Sequence, residues 1–232
     1  RLKLTEAPIF IAALNKPKPK ALPMMEVIVT HFKPFFLGML ICMAGYVLFY
    51  IMIAFSQIYA KSAPTVSEAG YAMGLGFSPQ IFTALLMCSA ISLAITIAIS
   101  GKYIDIVGRR IWLIWTTVGV ALFGLVLPYF LENGTTLSLF WFLIIGMGLI
   151  GMGYGPLASF LPELFPTHAR YTGASLTYNI AGLFGASVAA IIALPLNANY
   201  GLKGVGIYLT LNAVLSLIGL WFITETRDRQ LL

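Results

Sequence analysis

Six stretches of the 232-residue chain are apolar almost without interruption. They run from Phe35 to Tyr59, Pro79 to Ser100, Ile111 to Leu131, Ser138 to Leu161, Thr172 to Leu196 and Val205 to Thr224. Each is long enough to cross a hydrocarbon layer about 30 Å thick as a helix of about 20 residues. None alternates apolar and polar positions, so the strands of a membrane barrel are not indicated. The pattern predicts an all-α membrane protein with six transmembrane helices.

Charge sharpens that picture. Charged residues make up 9% of the chain and hydrophobic ones 59%, whereas a soluble domain carries about 25% charge. A soluble fold would lack the polar groups to cover its surface. All the charges fall outside the six blocks, and an ionised group at the centre of a span costs about 2.5–3.5 kcal/mol. A proton-titrating carboxylate, if the protein uses one, is therefore expected at a helix end or in polypeptide beyond this sequence. Of the 14 Lys and Arg residues, twelve lie in the segments on the side of both termini and two on the other. The positive-inside rule places both termini in the cytoplasm. The net charge of +6 is thus a topology signal, and a nucleic-acid partner, which needs a soluble basic face, is excluded.

Residues 1–34, with Pro8, Pro17, Pro19, Pro23 and lysines 3, 16, 18 and 20, read as a cytoplasmic polar connector. Residues 35–224 form the bundle and 225–232 a cytoplasmic tail. The opening RLKLTEAPIF has no initiating Met and reads as cut from something longer. Cys42 and Cys88 lie inside predicted helices, where each packs as a small hydrophobe and no disulfide is implied. His31 and His168 have no Cys or His at ligand spacing, so a solvated or capping role is expected, with no metal site and no cofactor. No cluster of nucleophile, acid and base suggests a catalytic residue or an enzyme.

One polar stretch stands out between two apolar ones: GKYIDIVGRRIWL, residues 101–113. A connector this short predicts antiparallel neighbouring helices. Gly101 and Gly108 permit a tight turn. Asp105 suits a helix N-terminus, and Arg109 and Arg110 suit carboxylates on adjoining loops; a positively charged stop that merely fixes topology is equally compatible. The pattern Gly101, Asp105, Gly108, Arg109, Arg110 resembles the G-x-x-x-D-x-x-G-R-R/K loop motif of the major facilitator superfamily, which lies between the second and third helices of each six-helix half. PELFPTHARYTGASLTYNIAG, residues 162–182, resembles the metabolite:proton symporter branch, and the R-L-x-L-x-E-x-P-x-F opening resembles the segment after that branch's sixth helix.

The resemblance implies the C-terminal half, helices seven to twelve, of a twelve-helix carrier whose substrate site lies at midplane between halves. It makes the missing N-terminal half, the lipid bilayer, a small-molecule substrate and protons the partners. Gly101, Asp105, Gly108, Arg109 and Arg110, extended by Glu163 and Arg170, become a cytoplasmic gate, with Asp105 docked near the helix start at Thr172. On that reading Asp105→Asn weakens cytoplasmic closure.

Candidate solute contacts are the polar and aromatic groups inside the blocks. Tyr46, Tyr50 and Gln57, spaced by four and seven, share one helical face. The family's architecture, in which that helix and the fourth one line the cavity, adds Tyr154; Tyr178 and Asn179 sit early in the fifth block, with Asn179 expected to face the bundle because an amide facing lipid is unsatisfied. For each aromatic, ordinary packing is the competing role. GMGLIGMGYGP carries a GxxxG pair, Gly151 and Gly155, suited to close helix contact, and Pro156 removes the N–H that would bond Met152. GMLICMAGYVLFY in the first block carries no charge, which argues against an acid–base relay there. The function expected is proton-coupled symport of a small polar metabolite, such as an organic acid or a shikimate-, proline- or betaine-like solute, across a bacterial inner membrane. The alternative is a half-length or split protein that inserts but does not transport without a partner half; a channel would need a ring of pore charges that these helices lack.

Overall fold

In the computed structural model, residues 23–225 are described; the 1–10 opening match, most of the 1–34 connector and residues 226–232 of the tail lie outside the described residues. Helix α1 (Pro23–Thr30) precedes α2 (Phe32–Lys61), α3 (Pro79–Val107), α4 (Arg109–Glu132), α5 (Thr136–Glu163) and α6 (Arg170–Phe222). Among the described residues there is no strand, only an isolated antiparallel bridge between Val66 and Ala72. Five helices, α2 to α6, are long and apolar enough to cross a membrane.

The starts of these helices follow from local chemistry. Ser78 accepts from the Ile81 N–H at 3.3 Å ahead of Pro79, whose missing N–H falls where the helix needs none. Thr135 caps α5 through the Ser138 N–H at 3.2 Å. Helix α6, at 53 residues, would be about 80 Å long if straight. It is broken at Gly201, where φ is +67° and ψ −171°. The 62–78 connector folds over this corner: Ser67 donates to the Ala198 carbonyl at 2.7 Å, and buried Asn197 donates to the Ala72 carbonyl at 3.1 Å. A Cβ on Gly201 would sit 2.6 Å from the Tyr71 ring.

Two sequence expectations need correction. The 101–113 stretch is not a loop, because α3 runs helically through Gly101 to Val107 and Gly108 alone, at φ +99°, separates it from α4. Nor are α3 and α4 packed neighbours. One residue of positive φ redirects the chain, so that α3 lies against α5 while α4 lies against α6 and α5.

Small residues set these contacts. Gly148, Gly151 and Gly155 of α5 face Ser92, Thr96 and Ser100 of α3, and Ser92 donates to the Ile144 carbonyl at 3.0 Å. Gly124 and Gly206 bring the backbones of α4 and α6 together, where Thr210 donates to the Ala121 carbonyl at 3.0 Å. With no hydrophobic drive between helices in lipid, such close approach and interhelical hydrogen bonding supply the association energy. The Met152 carbonyl left free by Pro156 accepts from the Trp112 indole N–H at 2.9 Å, so α4 repairs the gap in α5.

The buried side chains form two clusters. One, around Leu48, Phe55, Phe123, Phe142 and Leu209, lies toward the 62–78 connector. The other, around Cys42, Leu113, Phe160, Leu164 and Phe165, lies toward Gly108 and the 164–169 turn.

Candidate functional site

Charged groups gather where α3 ends, α4 begins, α5 ends and the last arm of α6 finishes. Arg109 places Nη1 on Glu163 Oε2 and Nη2 3.7 Å from Asp105 Oδ1. The Arg109 and Glu163 side chains are 18% and 14% exposed, whereas Asp105 is 73% exposed. Glu225 accepts from the Arg109 N–H at 3.1 Å and from the Arg110 N–H at 3.0 Å, so its carboxylate caps the positive end of α4. Gly108, the residue ahead of α4, offers no side-chain cap. In return Arg110 donates to the Leu220 and Trp221 carbonyls at 2.8 and 3.1 Å, where the negative end of α6 accepts a cation. The start of α4 and the end of α6 thus each receive the opposite charge from the other.

Between the two buried clusters lies a cavity of about 340 Å³. Its walls come from α2, α3, α4, α5 and α6, and its polar groups are Cys42, Tyr46, Thr116, Thr117, Tyr154 and Tyr178. Thr116 and Thr117 turn their hydroxyls back to the Trp112 and Leu113 carbonyls at 3.0 and 2.7 Å. That leaves the three tyrosines as its principal polar groups. Tyr46 is seated against α6, where a Cβ on Gly185 would come within 2.8 Å of it. Tyr154 stands at the rim, 63% exposed.

The domain model described as "Sugar (and other) transporter" matches residues 72–232. The chain belongs to this family, within the major facilitator superfamily. A "Putative metabolite transport protein" of Haemophilus influenzae (strain Rd) is 89% identical over 100% of the chain and 52% of its own length. "Inner membrane metabolite transport protein YhjE" of Escherichia coli K12 is 38% identical over 100% of the chain and 51% of its length. "Proline/betaine transporter" of Salmonella typhimurium (strain LT2) is 31% identical over 57% of the chain and 27% of its length. The chain spans about half the length of the first two relatives. No solved structure matches it.

In this member of the sugar (and other) transporter family, the residues singled out from sequence separate into three groups. Arg109 and Glu163 come together, joined by Asp105 at the exposed edge, while Arg110 turns to the end of α6. Gly108 is needed for its positive φ and because a Cβ there would lie 2.9 Å from Glu225 Oε2. Gly101 sits inside α3 with no side chain near its Cβ position, and Asp105 pairs across the Gly108 break with Arg109 at the start of α4. Arg170 Nε is buried without a hydrogen-bond partner.

Of the solute candidates, Tyr46, Tyr154 and Tyr178 line the cavity. Tyr50 reaches across to the Ala190 carbonyl at 3.4 Å. Gln57 is exposed and off the cavity. It lies beyond the last residue of α2 that lines the cavity, Phe49, and past the π-helical turn Ile51–Phe55, which inserts about one residue and rotates all that follows by about 100°. Asn179 does not line the cavity between these helices: it is exposed and donates to the Ser175 carbonyl at 2.8 Å, one turn back on its own helix. Cys88 is exposed as well, whereas Cys42 is buried. The residue that sequence reasoning missed is Glu225, a lone carboxylate directly after the last apolar block, whose partners are more than a hundred positions away.

Proposed function

We propose that the chain is the C-terminal half of a twelve-helix secondary transporter of the metabolite:proton symporter branch. It moves a small polar metabolite by alternating access in a bacterial inner membrane, with both termini cytoplasmic. On this reading Gly201 divides α6 into a fifth and a sixth span, each of a length suited to the bilayer. The metabolite, inner-membrane and proline/betaine transport in the relatives' names support the solute class and the location.

One observation carries the reading. Tyr171, Ser175 and Asn179 recur every four residues on an exposed face of α6, next in the chain to Tyr178 in the cavity wall. Polar groups on a span avoid lipid, so this stripe faces the other half and water. By contrast, Met87, Ile91, Ile95 and Ile99, exposed at the same spacing on α3, form an apolar stripe that needs no such partner. The charged groups at Gly108 then act as the cytoplasmic latch, with the mostly buried Arg109 and Glu163 pair as its fixed part and exposed Asp105 at the wet edge, where charge-assisted bonds break at little cost when water replaces them.

Counterflow in proteoliposomes tests this, using radiolabelled carboxylates, proline and betaine with and without a pH gradient. The full two-half protein is expected to exchange one solute class, faster with an inward proton gradient, and the 232-residue chain alone to insert and exchange nothing. Exchange by the chain alone, at the rate of the full protein, defeats the two-half reading.

A further inference from the structure

A separate cluster of donors sits away from the latch and the cavity. Glu26 on α1, His31 at the start of α2 and His168 in the turn before α6 offer one ligand atom each, all within 4.8 Å of one another. Glu26 Oε1 and His168 Nε2 lie 2.7 Å apart although separated by 142 positions in the chain. The rings of His31 and His168 are 6.4 Å apart, tilted by 57°. His31 precedes α2 but makes no capping bond with its side chain, so its imidazole is not committed to the helix. The approach is held from beneath: Val27 of α1 is fully buried and packs in the same cluster as Leu164, Phe165 and Ala169 of the turn.

We propose that Glu26, His31 and His168 form a binding site for a divalent transition-metal ion of the Zn²⁺ class. Two imidazoles and one carboxylate suit Zn²⁺, Co²⁺ or Ni²⁺, and they disfavour Mg²⁺ and Ca²⁺, which want oxygen donors throughout. In tetrahedral zinc the donors lie about 3.3 Å apart, given bonds of about 2.0–2.1 Å. The ion therefore enters by spreading the Glu26 and His168 pair by about half an ångström and drawing His31 in, which side-chain rotation accomplishes. Water completes the shell, since the His168 side chain is 52% exposed. Bound metal staples α1 to the turn between α5 and α6.

The test uses the 232-residue chain purified in detergent and stripped of metal with a chelator, then titrated with ZnCl₂ and, separately, CoCl₂. We expect one equivalent to bind, the thermal midpoint to rise with Zn²⁺ concentration, and Co²⁺ to give the visible absorption of a low-coordinate site. His31→Gln and His168→Gln each weaken binding by about tenfold or more, since even outer-shell losses cost about 10–100-fold. The glutamine at 168 still donates to Glu26, and each variant's metal-free midpoint verifies that it is folded. Should one variant fail to fold, the other and Glu26→Gln carry the comparison. Absence of saturable Zn²⁺ binding by the unaltered chain, or unchanged affinity in the folded variants, overturns the proposal. The outcome is independent of whether the chain transports, so its failure leaves the reading of the cavity and latch untouched.

Discussion

The two carboxylates that approach Arg109 differ in environment, and that difference gives the most discriminating prediction. Asp105 is 73% exposed and 3.7 Å from Nη2, an exposed ion pair across Gly108 worth about 0.5 kcal/mol or less. Glu163 is 14% exposed against an Arg109 side chain that is 18% exposed. Arg109 Nε is also buried without a partner, so removing Glu163 strands most of the guanidinium. Breaking a fully buried pair costs about 3–5 kcal/mol; with the residual solvent contact here the expected cost of Glu163→Gln is about 2 kcal/mol. For a chain of this size about 1 kcal/mol moves the midpoint by about 2–4 °C. Glu163→Gln should then lower it by about 4–8 °C, and Asp105→Asn by less than about 2 °C. A thiol-reactive dye reads the transition in a Cys88→Ala background, where buried Cys42 is the reporter. Arg109→Gln combined with Glu163→Gln should lose less than the sum of the single changes, with a coupling of about 1–2 kcal/mol. An Asp105→Asn shift as large as that of Glu163→Gln, or additive single changes, would refute the assignment of the latch to Arg109 and Glu163.

Other outcomes follow from single contacts. Gly108→Ala forces a Cβ into positive φ and to 2.9 Å from Glu225 Oε2; a cost of about 1–2 kcal/mol is expected in the same thermal assay. Trp112→Phe strands the Met152 carbonyl at about 1–3 kcal/mol, and Pro156→Ala in that background should restore stability by returning the missing N–H; no rescue would mean that the indole bond is incidental. Gly151→Val would press into the Leu93 carbonyl, 2.6 Å from the Cβ position, and should separate α3 from α5 at about 1–3 kcal/mol. If the cavity holds solute, Tyr178→Phe and Tyr46→Phe in the full two-half protein should each lower counterflow by about tenfold, the loss expected for one hydrogen bond of about 1.4 kcal/mol, while leaving the thermal midpoint within about 1 °C.

Hydropathy made the apolar helices legible, five of them long enough to cross a membrane among the described residues where the pattern predicts six. It could do so because the bilayer imposes a one-dimensional requirement that any local window can read. The same windows misplaced the end of α3. Lys102, Asp105 and the two arginines mark where the apolar face stops, but charge at a helix end does not stop a helix, and only the positive φ of Gly108 does. Gln57 shows a second limit. Its spacing from Tyr46 and Tyr50 is correct for an unbroken helix, and the π turn between them leaves no mark in IMIAF, because it arises from packing rather than propensity.

The charged network divides along the same physical line. Motif spacing brought Arg109 and Arg110 to notice, since three of its positions lie within one turn of each other. Glu225 and His168 act on partners 115 and 142 positions away, and no local period encodes such a meeting. What positions them is the burial of Val27 beneath one and the close packing of Gly124 on Gly206 that brings α6 home beside α4 for the other. Polar function in this bundle is therefore set by where glycines let backbones touch. A substitution such as Gly206→Val, whose Cβ would collide with the Gly124 carbonyl, should accordingly loosen the Glu225 cap on α4 although the two sites lie about 24 Å of helix apart at about 1.5 Å per residue. Faster amide exchange at Arg109 and Arg110 in that variant is the expected reading, and unchanged protection there would show that the cap forms independently of helix packing.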